Sequence, residues 1–169
     1  MDARHLVHFV NATKSVFAMM LQLPVACAMP QRTVDLPART TDVSGIIGLS
    51  GDAVGCVVLA FPRETAEKVI ERFVGMPMDL LSDDFADAVG ELVNMISGSA
   101  KAQIEGHDIR ISVPSVVVGD NHKVQTMSDA TCVRIPCNSE LGPFSIEVAL
   151  KFGEAAATTD AAAGETRAA

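Results

Sequence analysis

The sequence predicts an α+β fold of two layers, with long helices packed on an antiparallel β-sheet. Two observations carry that prediction. Apolar residues recur at three- and four-residue steps within residues 3–22, 64–74 and 83–105, the period of an amphipathic helix. Shorter apolar stretches, bounded by Gly, Pro, Asn and Asp, occupy much of 26–61 and 109–152 and are grouped as in a meander.

In the first helix, 3–22, Leu6, Val10, Thr13, Phe17 and Met20/Leu21 make one apolar face, and Pro24 ends it. A strand region over 26–37 follows, broken by Pro30. Residues 44–49 and 54–61 read as a hairpin, with Ser50, Gly51 and Asp52 as its turn. Gly45, Gly48 and Gly55 weaken these strands or mark bulges. Pro62 suits the start of a helix, where its missing N–H costs nothing. That helix, 64–74, buries Ala66, Val69, Ile70 and Phe73 and closes at Gly75 and Pro77. Ser82 caps the next helix, and Asp83 and Asp84 suit the positive end of its dipole. It runs over 83–105 and stops at Gly106. Strands are expected at 109–118, broken by Pro114, and at 130–136 and 144–152, with 138–143 as a turn.

One domain is therefore expected over residues 1–152. Residues 153–169 lack any large apolar side chain and are expected to form a disordered, Ala-rich tail.

The 169 residues give room for one sizeable core. No apolar run is long enough to span a bilayer. Residues 1–8 lack a basic segment followed by an apolar stretch, so no membrane association and a cytoplasmic location are expected. A net charge of −8 argues against nucleic-acid binding, which needs Lys and Arg to replace counterions along the phosphates. Trp and Tyr, the usual stacking platforms for single strands, are absent. Cys27, Cys56, Cys132 and Cys137 form no Cys-x-x-Cys pair, and reduced, mostly buried thiols are expected. His5 and His8 have no third ligand nearby, and His107 and His122 look like loop residues. No intrinsic metal or cofactor is expected.

The helix over 83–105 carries the chemistry. At about 100° per residue, Phe85, Val89, Leu92, Ile96, Ala100 and Gln103 fall on one side. Asp87, Glu91, Asn94, Gly98, Lys101 and Glu105 fall on the other. Glu91 and Asn94 are neighbours that point outward together. Such a pair on its own is ordinarily just a solvated face. Two glycines change the balance, because Gly90 and Gly98 each cost about 1 kcal/mol relative to Ala inside a helix. With Ser97 they are expected to clear a flat patch around Asn94 that a second protein could approach. The alternative use of the glycines is close packing within the chain.

No Gly-rich phosphate loop or Ser-His-Asp set is visible. An amide, however, holds water by both donating and accepting hydrogen bonds. Phosphoryl hydrolysis needs little beyond an in-line water and charge neutralisation. A carboxylate one turn away can grip a lysine on a partner. The pair suits an enzyme that completes a half-built site on another protein.

The run Asp87-Ala88-Val89-Gly90-Glu91-Leu92-Val93-Asn94-Met95-Ile96-Ser97-Gly98 closely resembles the Glu-x-x-Asn helix of the CheC/CheX/FliY family of chemotaxis phosphatases. Phe9 to Thr13 with Val16-Phe17, and Pro114 to Gly119, resemble other stretches of the CheX type, so the likeness covers roughly residues 3–152. It implies a phosphorylated CheY-like receiver domain as substrate. It also implies Glu91 and Asn94 as the catalytic pair, Glu91 on a receiver lysine and Asn94 positioning the attacking water. Asp87, Gly90, Ser97, Gly98 and Lys101 become the expected partner-binding residues, and Mg2+ is expected on the receiver. In His8-Phe9-Val10-Asn11 a His stands where a second motif would need Glu. This favours the one-motif CheX type, for which the resemblance implies a homodimer with paired sheet edges. Two other readings are a non-catalytic module of the same fold that docks a receiver or flagellar switch, and a small-ligand domain using the sheet. No polar cluster in the sequence supports the latter.

Overall fold

The structure, a computed structural model, describes residues 3–35, 41–124 and 130–153. The expected tail at 154–169 lies outside the described residues, as does the end of the expected strand region at 36–37. Helix α1 (Ala3–Val16) runs into one π-helical turn, Phe17–Leu21, which Gln22 closes in the left-handed region at φ 55°. Two-residue strands β1 (Ala26–Cys27) and β2 (Gln31–Arg32) come next. The hairpin β3 (Thr41–Gly51) and β4 (Ala53–Phe61) leads to α2 (Arg63–Val74) and α3 (Asp83–Ala102). Four strands finish the chain: β5 (Ile109–Ile111), β6 (Ser115–His122), β7 (Cys132–Ser139) and β8 (Gly142–Phe152).

The strands form one antiparallel sheet in the order β1-β7-β8-β4-β3-β5, with β2 also on β7 and β6 also on β3. Alternation along each strand gives the sheet two different faces. Val43, Ile47, Val57, Leu59, Phe61, Ile146 and Val148 pack into the core with α3 residues Phe85, Val89, Leu92, Val93 and Ile96. The rings of Phe17 and Phe144 stack at 4.7 Å, tying the π turn to β8.

Several boundaries move for identifiable reasons. Pro114 does break the strand expected at 109–118, but both halves stay on the same edge. β5 pairs Leu49–Gly51 and β6 pairs the start of β3, while Ser112 bridges the gap through bonds of 2.9 Å to and from Gly48. The turn expected at 138–143 is tighter, because Ser139 pairs directly with Gly142. The helix expected at 64–74 begins one residue earlier, at Arg63, with Pro62 directly ahead of it. The long helix ends three residues early, at Ala102. Met20, expected on the apolar face of the first helix, is exposed; the extra residue in the π turn rotates it outward while Leu21 is buried. Of the four thiols only Cys137 is buried, and the other three are half-buried. His122 is the last residue of β6 instead of a loop residue.

Candidate functional site

Helix α3 is fixed at both ends and along one face. Ser82 Oγ accepts from the Phe85 backbone N–H at 3.1 Å, as its sequence position predicts. The buried face lies close over β3 because Gly45 has no side chain: a Cβ there would be 3.0 Å from Val93 Cγ1. Gly45 thus admits the helix instead of marking a bulge. Phe85, Val89, Leu92, Ile96 and Ala100 are buried as expected, and Gln103 is half-buried.

That anchoring turns one stripe outward. Asp87 and Glu91 are exposed, and Asn94, Gly98 and Lys101 are half-buried. No hydrogen bond or ion pair among the described residues ties down Glu91 or Asn94, so both remain available to a partner.

Two of the expected partner-binding residues do not belong to this surface. Gly90 is buried, and a Cβ on it would lie 3.1 Å from Pro114 Cγ. It therefore lets α3 pack against the segment between β5 and β6, which is the internal use of glycine. Ser97 is also fully buried, at 0% exposure. Gly98 alone matches the cleared patch, since a Cβ there would meet nothing within 4 Å.

Beside Asn94 the surface dips into a groove of about 410 Å³. Asn94, Met95, Gly98 and Ser99 of α3 form one wall. Ser15, Val16, Met19 and Met20 form the other, and Ile111 of β5 lines the groove as well. Met19 and Met20 are 75% and 43% exposed. Ser15 Oγ lies 3.5 Å from Met19 Sδ. Flexible, polarizable methionines suit a surface that receives another protein. Sequence periodicity could not reveal this wall, because a regular helix would have directed Met20 inward. The one available signal was the pair of adjacent methionines before Pro24.

The opposite face of the sheet holds a smaller polar cavity of about 120 Å³, lined in part by Asp42, Ser44, Asn121, Arg134, Ser145 and Glu147. The fold thus assembles a polar cluster that the sequence alone did not show. Most of its groups are already partnered. Arg134 Nε donates to Glu147 Oε1 at 2.7 Å, and His122 Nε2 lies 2.8 Å from Ser44 Oγ. Asp42 accepts from the backbone N–H groups of Asn121 and Arg63 at 3.0 and 2.9 Å, which hold its carboxyl below the usual range. Such mutual satisfaction is structural: it closes hydrogen bonds that burial would leave open.

Among the described residues no group of His, Cys, Asp and Glu is placed to hold a metal, and no helix is long and apolar enough to cross a membrane.

The sequence profile of the chemotaxis phosphatase CheX family matches residues 43–138, a span that holds all of α3. The chain belongs to that family. A CheY-P phosphatase CheX of Thermotoga maritima is 31% identical over 111 residues, covering 64% of this chain and 71% of that protein. The CheX crystal structure from Desulfovibrio desulfuricans superposes with a TM-score of 0.80 at 29% identity, covering 88% of this chain and 99% of that one. The CheX–CheY–BeF3–Mg2+ complex from Borrelia burgdorferi shares the fold, with a TM-score of 0.71 at 22% identity over 87% of this chain and 97% of that one. The CheX resemblance read from residues 87–98 and the α+β fold are both borne out.

Proposed function

We propose that the chain is an aspartyl-phosphate phosphatase that accelerates dephosphorylation of a CheY-like receiver domain in chemotaxis or related two-component signalling. The observation that carries this reading is the outward pair Glu91 and Asn94, untied within the described residues and set beside an open groove, in a chain of the CheX family.

Glu91, on the exposed stripe, pairs with a lysine of the receiver and fixes the approach. Asn94 enters the receiver's site, where its carboxamide accepts from and donates to one water. That water attacks phosphorus in line, the acyl phosphate P–O bond breaks, and the products are inorganic phosphate and the free aspartate. The Mg2+ that neutralises the phosphoryl oxygens belongs to the receiver. A gain of about 10²-fold would require about 2.7 kcal/mol, within reach of one preorganised hydrogen-bonding group. Asp87, Gly98 and Lys101 border the contact. The protein works in the cytoplasm, as one domain over residues 1–152 and as a homodimer joined at sheet edges. Among the described residues β6 is the longest strand on either edge of the sheet and so the natural one to pair.

The test is the decay of a phosphorylated CheY-like receiver from the same organism, with Mg2+, alone, with this protein, and with its Asn94→Ala variant. Wild-type protein should speed the decay and the variant should not. Failure of the wild type on every receiver tried would leave a docking module without catalysis.

A further inference from the structure

Cys27 and Cys137 are directly opposite in the β1–β7 pairing, with their sulfurs 3.2 Å apart. The next residue pair, Ala28 with Pro136, carries the ladder bond, Ala28 N–H to Pro136 O at 2.8 Å. Cys27 and Cys137 therefore occupy a non-hydrogen-bonded position, where facing Cα atoms come to about 4.5 Å and side chains are closest. A disulfide spans Cα separations of about 4.4–6.8 Å, so this site needs little movement.

The other two thiols cannot do the same. Cys56 and Cys132 both face Ala149 of β8, from its two sides. That puts two strand spacings between them, about 9.5 Å, beyond the reach of a disulfide.

The two facing thiols also differ in reactivity. Cys27 is half-buried and Cys137 is 4% exposed. Cys137 donates to the Cys27 sulfur, which holds the Cys27 thiol below its ordinary value, with Lys14 adding to the effect; the same bond pushes Cys137 up. That is the polarity of an attacking thiol and a resolving thiol.

We propose that Cys27 and Cys137 are a reversible oxidation site that closes a cross-strand disulfide in response to a hydroperoxide. The Cys27 thiolate attacks a peroxide oxygen and the O–O bond breaks, giving a sulfenic acid on Cys27; the departing hydroxide or alkoxide takes up the proton that the Cys27 thiol released and leaves as water or an alcohol. The Cys137 sulfur then attacks Cys27 Sγ, the S–S bond forms, and the S–O bond breaks. Hydroxide departs and takes up the Cys137 proton as water. Two thiols are oxidised and one hydroperoxide is reduced. The product staples β1, a two-residue strand, to β7 and fixes the segment leaving the π turn that carries Met19 and Met20.

The test uses the full chain, reduced and then titrated with hydrogen peroxide, with free thiols alkylated before non-reducing peptide mapping. The expected product is an intramolecular Cys27–Cys137 link, with Cys56 and Cys132 still alkylated and the link reversed by dithiothreitol. Oxidation should raise Tm in the wild type and not in Cys27→Ser, whose half-buried position tolerates the change. Peroxide that leaves both thiols alkylatable, drives Cys27 to sulfinic acid with Cys137 still free, or links two chains through Cys27 would overturn the proposal.

Discussion

Gly90 and Pro114 are in contact across the gap between α3 and the sheet, and a Cβ on Gly90 would lie 3.1 Å from Pro114 Cγ and 3.6 Å from Val116 Cγ2. Two turns further along the same helix, a Cβ on Gly98 would touch nothing within 4 Å. The two glycines therefore respond oppositely to added bulk. Gly90→Val forces α3 off the strand and should cost about 1–3 kcal/mol. Gly98→Ala removes the helix-interior cost of glycine and should add about 0.5–1 kcal/mol. Urea unfolding of both variants decides it. A Gly90→Val protein as stable as the wild type would mean that the contact does not limit the packing.

That difference marks the limit of what the sequence could convey. Spacing was enough to place Glu91 and Asn94 on the outward stripe, because the apolar face of α3 repeats without interruption from Phe85 to Ala100. It was enough for the Ser82 cap and for the β3–β4 hairpin as well, since each is a local pattern. The roles of Gly90 and Ser97 were not legible: a small residue at a wheel edge looks the same whether the neighbour is water or Pro114, some twenty residues away. Met20 escapes the helical period, because one extra residue in the last turn of a helix leaves no mark on periodicity. The polar cluster around Asp42 draws on β3, β6, β7 and β8, so only the sheet order could assemble it.

Glu91 and Asn94 should separate kinetically. In the proposed role, Glu91 makes a binding contact that is the same before and during the reaction. Glu91→Gln should therefore raise KM, by about 10-fold or more if a charge-assisted bond of about 1.5–3 kcal/mol is lost, with kcat little changed. If Asn94 acts on the water as it attacks, as proposed, Asn94→Ala should lower kcat about 100-fold with a smaller effect on KM. Initial rates across receiver-phosphate concentrations make the split visible. A reversed pattern would exchange the two roles.

The methionine wall makes a third expectation. If the groove beside Asn94 receives the receiver surface, burying part of the Met20 side chain contributes about 1 kcal/mol to the encounter. Met20→Ala should then raise KM about 5-fold. Its own fold should be nearly unaffected, within about 0.5 kcal/mol, because the side chain is already 43% exposed. Met20→Lys should be worse than Met20→Ala, since it places a charge against the receiver. Equal KM for all three proteins would remove this wall from the interface.

Asp42 links stability to pH. Pro62 precedes α2 and offers no side-chain cap, so the first N–H of that helix, on Arg63, is met from the neighbouring strand by the Asp42 carboxylate. The same carboxylate accepts from the Asn121 N–H, at a residue held in the left-handed region with φ 55°. The Asn121 bond first and the Arg63 bond second lower its folded-state pKa below the ordinary 3.8. A lowered folded pKa favours the native state wherever the carboxylate is ionised in both states. Its contribution is complete above about 3.8 and fades as pH falls through the folded value. Asp42→Ala should therefore cost about 1 kcal/mol at neutral pH, the size of a lost helix cap. The gap between wild type and variant should narrow as pH falls through the lowered folded value and the wild-type carboxyl takes up its proton. Urea midpoints along a series of falling pH make the comparison. A gap of constant size would mean that the carboxyl serves by shape and hydrogen bonding alone, and that its charge contributes nothing to holding β3, α2 and β6 together.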